Sequence, residues 1–270
     1  MGQALTFSEP FIRFGAFFGV FLAMGVWELA APRRPQAISR LRRWPGNLGL
    51  SVINTVALRI LFPAAAVGAA IFAEAHGLGL FQVINAPEAV AIIVSVIVLD
   101  LVIYLQHRLF HAVPLLWRLH RVHHADLEFD VTTGVRFHPL EIVLSMLIKI
   151  GAVTALGAPA VAVLVFEVLL NATTMFNHAN IKLPQPLDRI VRLIVVTPDM
   201  HRVHHSVRRE ETDSNFGFSL PWWDWLFRTY RAQPVDGHDR MIIGIEKFRD
   251  PADLRLARML LQPVRAYGGP

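Results

Sequence analysis

The chain has 270 residues, 54% of them hydrophobic and only 17% charged, with a mean hydropathy of +0.43. Soluble domains carry about 25% charged residues and disordered chains are poor in apolar ones, so neither class fits. The absence of cysteine excludes disulfides, thiolate metal sites, iron–sulfur clusters and a cysteine nucleophile. The net charge is +5, and ten of the twelve histidines fall between His107 and His205.

Four or five long apolar stretches follow one another along the chain. The first covers 11–31 and ends at Pro32-Arg33-Arg34, the second covers 48–73, and the third covers 89–106. The fourth, 140–176, is broken by Gly157-Ala158-Pro159 and is long enough for two helices joined by a tight turn. A bilayer core needs roughly 20 apolar residues of helix. The spacing therefore predicts four to five membrane helices, interrupted by Arg13, Glu28, Arg59 and Asp100. The alternative, buried helices of a large soluble core, would give shorter stretches flanked by more charge.

Orientation follows from the basic residues. Arg33, Arg34, Arg40, Arg42 and Arg43 form an acid-free loop that is expected to be cytoplasmic, whereas 74–88 holds no Lys or Arg and is expected outside. All the histidine clusters then share the cytoplasmic side. The N-terminus lacks a basic region before its apolar run and reads as a retained anchor rather than a cleaved signal. The expected organisation is membrane helices and a basic loop over 1–88, a catalytic region over 89–232, and a cytoplasmic tail over 233–270.

Three clusters carry the chemistry: His107-x3-His111, His120-x2-His123-His124 and His201-x2-His204-His205. On a helix, positions three and four apart share a face, so each cluster offers two or three imidazoles to one place. A four-coordinate metal needs four ligands, so eight imidazoles suggest two metals. His178 in Asn177-His178-Ala-Asn180 and His138 in Arg136-Phe-His138-Pro-Leu-Glu141 are further candidate ligands. His76 and His238 lie apart and read as ordinary surface histidines.

A solvated basic helix face would not repeat His-Arg-Val-His-His. There is no His-Glu-x-x-His, which argues against a zinc protease, and the histidines lie beyond the span ends, which argues against membrane haem. Imidazole-rich sites suit iron, copper or zinc. Asp100, Tyr104, His107 and His111 share a helical stripe, so Asp100 is expected either to accept a proton from a ligand imidazole or to pair with Arg59 or Arg108. Trp222, Trp223 and Trp225 read as an interfacial anchor or as packing for the cap.

The ordered set H-x3-H, H-x2-HH, R-x-HP-x-E, Asn177-His178 and H-x2-HH resembles the fatty acid hydroxylase / sterol desaturase superfamily. Thr197-Pro198-Asp199-Met200, Asp213-x-Asn215-x-Gly217 and Trp223-Asp224 add to the likeness, which spans roughly 89–230. Where relatives commonly carry glycine before the final Thr-Tyr, this chain has Arg228. The resemblance implies an all-α integral membrane bundle with a cytoplasmic helical cap holding two non-haem irons. It implies an O2-dependent oxidoreductase of the monooxygenase or desaturase type that hydroxylates, desaturates or cleaves lipids, sterols or related apolar substrates. The ligands carry over onto His107, His111, His120, His123, His124, His178, His201, His204 and His205, with His138 as a possible additional ligand. Asp100, Asn177 and Asp224 are candidate supporting residues behind the ligands.

No cytochrome b5-like domain is read in the chain, so electrons are expected from a separate redox protein. The expected setting is a bacterial inner membrane, with no nucleic-acid partner. The competing readings are a zinc-dependent membrane hydrolase and a metal-binding or transport protein; the latter would place its histidines along a path inside the spans.

Overall fold

The computed structural model describes residues 2–265, with side chains from residue 8 onward; the end of the tail expected over 233–270 lies outside the described residues. The described chain is helical, and its only extended pairings are isolated bridges between Pro32 and Ile181 and between Ser206 and Ile243. In order the helices are α1 (Gly2–Ala30), α2 (Arg40–Leu61), α3 (Ala65–Ala75), α4 (Leu80–Val83), α5 (Glu88–Ala112), α6 (Pro114–His124), α7 (Pro139–Leu156), α8 (Ala160–Asn177), α9 (Gln185–Val191), α10 (Pro198–His204), α11 (Arg209–Thr212), α12 (Trp222–Leu226), α13 (Gly237–Arg240) and α14 (Leu256–Leu261). Five segments among the described residues are long and apolar enough to cross a membrane: Ser8–Ala30, Arg40–Val83, Glu88–Ala112, Pro139–Leu156 and Ala160–Asn177.

The second apolar stretch, expected over 48–73, is not one continuous helix. Pro63 breaks it, because proline lacks an N–H and restricts the residue before it, and Phe62 accordingly leaves the helix at φ −134°. Asn54 Nδ2 donates to Phe137 O at 2.9 Å, which fixes residue 54 beside the start of α7. At the other end, a Cβ on Gly79 would stand 2.1 Å from Gly157 N, so residue 79 abuts the turn that ends α7. The crossing therefore runs over 54–79 in two helical pieces. The first half of α2 belongs to the cap instead, where Leu50 packs with Val122 and Met259.

The paired helices of the fourth stretch form as the sequence suggests. Gly157 takes φ 65°, the left-handed conformation that glycine adopts without strain, and Pro159 precedes α8. As the helical stripe of Asp100, Tyr104, His107 and His111 requires, α5 continues past residue 106 through both histidines, and Pro114 starts α6. α1 packs along α8, and α3 lies on α7 and α8. The apolar core of the bundle gathers Ala66, Val67, Leu99, Ile103, Met146, Val153, Val163 and Phe166.

Most charges inside the spans are neutralised locally, as a medium without water requires. Glu167 of α8 accepts from Lys149 of α7 at 2.6 Å and from Arg13 of α1, which also reaches Glu9 at 2.7 Å. Glu28 accepts the backbone N–H groups of Val131 and Asn180, each at 2.7 Å. Arg59 faces outward.

The basic loop docks on the cap. Arg33 pairs with Asp199 at 3.2 Å, Arg34 donates to Met241 O at 2.9 Å, and Arg43 reaches Asp126 and Asp130 at 2.8 and 2.7 Å. The chain end of α1, the start of α2 and the start of α7 thus share one end of the bundle, and the histidines gather there.

Candidate metal centre

Nine histidines meet where α5, α6, α8 and α10 converge, and all nine are buried. His107 and His111 stand one turn apart near the end of α5, while His120, His123 and His124 occupy the end of α6. His178 follows α8, His201 and His204 lie on α10, and His205 follows it. They form two groups, His107, His111, His120, His124 and His204 in one, and His123, His178, His201 and His205 in the other. Within each group one nitrogen from every residue lies within 4.8 Å of the rest. The groups adjoin, with the His124 and His205 rings 4.5 Å apart.

Each HxxHH motif divides its histidines between the groups instead of serving one place. His120 and His124 go to the first group and His123 to the second; His201 and His205 go to the second and His204 to the first. The i, i+4 pair stays together because it shares a helix face, and the i+3 imidazole turns toward the other group.

The hydrogen bonds fix which nitrogens carry protons. His107 Nδ1 donates to Phe216 O at 2.7 Å, His204 Nδ1 to Ser214 O at 2.7 Å, and His178 Nδ1 to Thr174 O at 2.8 Å. A carbonyl only accepts, so in these three rings Nδ1 holds the proton and Nε2 presents a bare lone pair. His120 Nδ1 donates to Glu141 Oε1 at 2.6 Å, with the same result. Burial keeps the imidazoles outside the spans neutral. It lowers His123, His124, His201, His204 and His205 well below the usual range, with neighbouring imidazoles adding to the effect, and brings His120 and His178 to about 3.

Those lone pairs converge. Nε2 of His107 lies 3.0 Å from Nε2 of both His120 and His204, and His120 Nε2 lies 3.2 Å from that of His124. In the second group His178 Nε2 is 3.1 Å from His123 Nε2 and 3.2 Å from His205 Nε2. Lone pairs facing each other repel unless a cation lies between them. Nitrogens about 2.1 Å from one metal ion and at right angles about it are about 3.0 Å apart, the spacing seen here. The donor set fits transition-metal ions, one in each group.

The surroundings hold the imidazoles in place. Asp224 accepts from Phe216 N at 2.8 Å and Gly217 N at 2.9 Å, and so fixes the carbonyl that His107 uses. Burial raises the Asp224 carboxyl to about 6. Gly134 lets α8 approach, since a Cβ there would meet Thr174 O at 2.8 Å and His178 Nδ1 at 3.3 Å. A cavity of about 310 Å³ on the cap side reaches His111, lined also by Trp117, Arg209, Asp213 and Lys247.

Several expected residues lie elsewhere. His138 caps α7, its Nδ1 accepting from Leu140 N at 3.2 Å and its Nε2 donating to Leu260 O at 3.2 Å, which turns it away from both groups. Asp100 accepts from Trp223 Nε1 at 2.8 Å and Leu220 N at 3.3 Å, rather than from an imidazole, Arg59 or Arg108. Arg108 lies over the Tyr104 and Phe227 rings instead. Asn177 donates to Phe218 O at 2.7 Å, so it acts on the segment beside the site. Trp223 packs inward through Asp100 while Trp222 and Trp225 remain exposed. His76 is exposed as expected, but His238 is buried beside Asp199.

Two carboxylates were not given a role by the sequence: Glu141, whose place in R-x-HP-x-E is its only signal, and Asp213, 3.4 Å from His111 Nδ1. The carbonyls that fix the tautomers leave no sequence signal at all.

No solved structure matches the chain. Among curated proteins it is 30% identical over 149 residues to ornithine lipid hydroxylase OlsE of Rhizobium tropici, covering 55% of this chain and 44% of that protein. It is 29% identical over 146 residues to human alkylglycerol monooxygenase, covering 53% of this chain and 30% of that protein. It is 25% identical over 150 residues to the very-long-chain aldehyde decarbonylase GL1-6 of Oryza sativa, covering 52% of this chain and 23% of that protein. The chain thus spans less than half the length of the relatives it matches. Residues 92–229, just over half of the chain, match the fatty acid hydroxylase family and include all nine clustered histidines. The chain belongs to the fatty acid hydroxylase family.

Proposed function

We propose that the chain is a membrane-bound non-haem di-iron oxygenase that hydroxylates or desaturates a lipid, sterol or related apolar substrate, using O2 and electrons from a separate redox protein. The observation that carries this reading is the convergence of bare Nε2 lone pairs from rings whose Nδ1 protons are held by fixed acceptors. His107, His111, His120, His124 and His204 would hold one iron, and His123, His178, His201 and His205 the other. When bound, such a pair supplies the reduction of O2 and the transfer of an oxygen atom to an unactivated C–H bond. The protein's part is to keep nine imidazoles oriented and shielded from water. The names of the relatives, a lipid hydroxylase and an alkylglycerol monooxygenase, support an apolar substrate.

We assign 89–232 as the catalytic region, 1–88 as membrane helices with the basic loop, and 233–270 as the tail. The five arginines between residues 33 and 43 support a cytoplasmic site and, with a bacterial lipid hydroxylase among the relatives, an inner-membrane location.

The test is metal analysis and O2 uptake on detergent-purified protein supplied with lipid extract. Two irons per chain, O2 consumption, and a lipid heavier by one oxygen or lighter by two hydrogens are expected. Turnover without O2, or hydrolysis by a zinc form that stays inert in O2 after iron reconstitution, would overturn the reading.

A further inference from the structure

The imidazole groups have an aqueous side and an apolar side. On the aqueous side the cavity at His111 and Trp117 opens toward the cap. On the other side two phenylalanines touch both groups. The Phe218 ring lies 4.8 Å from that of His107 and 5.7 Å from that of His201. The Phe137 ring stacks on His123 at 4.4 Å and lies 6.3 Å from His120. Phe218 belongs to the apolar core of the bundle, with Ile103, Met146 and Phe166, and Phe137 packs against it. This pair therefore stands between the hydrocarbon interior of the spans and the place where both groups of lone pairs converge.

Phe218 is carried by an irregular segment, 213–221, that is tied by hydrogen bonds to both α5 and α8. Asn177 and Thr173 of α8 hold Phe218 O and Ser219 Oγ at 2.7 and 2.9 Å. Asp100 of α5 holds Leu220 N and Trp223 Nε1. Asp100 lies two helical turns before His107, about 10 Å along α5, so this segment climbs past the histidines toward the bilayer interior. Non-helical backbone survives at such depth only where it is buried or lines a cavity, and α12, which follows the segment, carries exposed Trp222 and Trp225.

We propose that Phe218, with Phe137 beside the same apolar core, is the surface against which the reacting carbon of an apolar chain is set. This rests on the oxygenase reading for the chemistry but not for the binding. The two rings decide which carbon lies beside the imidazoles, and their bulk limits what fits there. Asp100, Asn177 and Thr173 act as positioning residues for the segment that carries Phe218.

The test begins with binding. The full-length chain in nanodiscs is photolysed with an octadecyl probe bearing a mid-chain diazirine, and the labelled peptides are mapped. Label on the peptides holding residues 137 and 218, competed away by unlabelled lipid, is expected. Phe218→Trp, checked for unchanged metal content and melting temperature, loses that label. Phe218→Leu keeps the label and shifts the oxidised position along the product chain. Label confined to the outer faces of the helices, or a Phe218→Leu enzyme with the wild-type product distribution, overturns the proposal. If labelling at 137 and 218 holds while O2 uptake is absent, the oxygenase reading fails and the binding site stands.

Discussion

Arg43 and Asp126 form a two-pronged ion pair, Nε to Oδ1 at 2.8 Å and Nη2 to Oδ2 at 2.9 Å, with neither side chain exposed. Asp126 comes two residues after His124, and Arg43 comes from the far end of the basic loop. Asn47 donates to Asp126 as well, and Arg136 donates to Asn47 at 2.9 Å. The arginine-rich stretch thus clamps the end of the α6 histidine motif.

Removing one member of a buried pair strands the other charge. Arg43→Ala is expected to lose roughly 3–5 kcal/mol of stability, whereas Arg42→Ala, on the exposed face, loses little. Melting temperatures in detergent compare the two; equal losses would mean that Asp126 finds another partner.

Glu141 holds the His120 ring through Nδ1 at 2.6 Å. Supporting partners of ligand imidazoles typically change metal affinity by about 10–100-fold. Glu141→Ala is expected to weaken metal retention by that order, with Glu141→Gln between it and the wild type, as read by chelator competition. His138→Ala should leave metal retention unchanged, because its ring serves the start of α7 instead.

Arg228 adopts φ 58°, the left-handed region where a side chain meets its own carbonyl. Glycine would adopt that conformation without strain. Arg228→Gly relieves about 1 kcal/mol of backbone strain and loses about 0.5 kcal/mol through a freer unfolded chain. The melting temperature should therefore stay level or rise slightly; a clear fall would show that the arginine side chain contributes more than its backbone suffers.

His238 is lowered from 6.5 to about 4, chiefly by burial, with Arg202 acting in the same direction and Asp199 opposing it. A depressed folded-state value means that its full contribution is present above pH 6.5 and is lost as pH falls toward 4. The loss is up to about 3 kcal/mol, from the size of the shift. His238→Gln is expected to flatten the stability profile between those pH values, which thermal melts across the range would reveal. An unchanged slope would place the acid sensitivity elsewhere.

The sequence reveals most of this site because its signals are local. Helical spacing and the scarcity of histidine single out His107, His111 and the two HxxHH motifs, and the apolar stretches announce the spans. Contacts between distant segments leave no such trace. His138 looks like another ligand until the N-terminus of α7 claims its ring, and Asp100 looks like a partner for His107 until Trp223 and Leu220 reach it first. Pro63 was visible, but that residues 40–53 belong to the cap could be learned only from Leu50 meeting Val122 and Met259.

The crossed allocation of the two HxxHH motifs has a consequence for loading. α6 and α10 each contribute to both groups, so an ion held in one would also brace the helices that the other needs. Filling should be cooperative, with half-loaded molecules scarce, and stripping one position should loosen its neighbour rather than leave an intact single-ion protein.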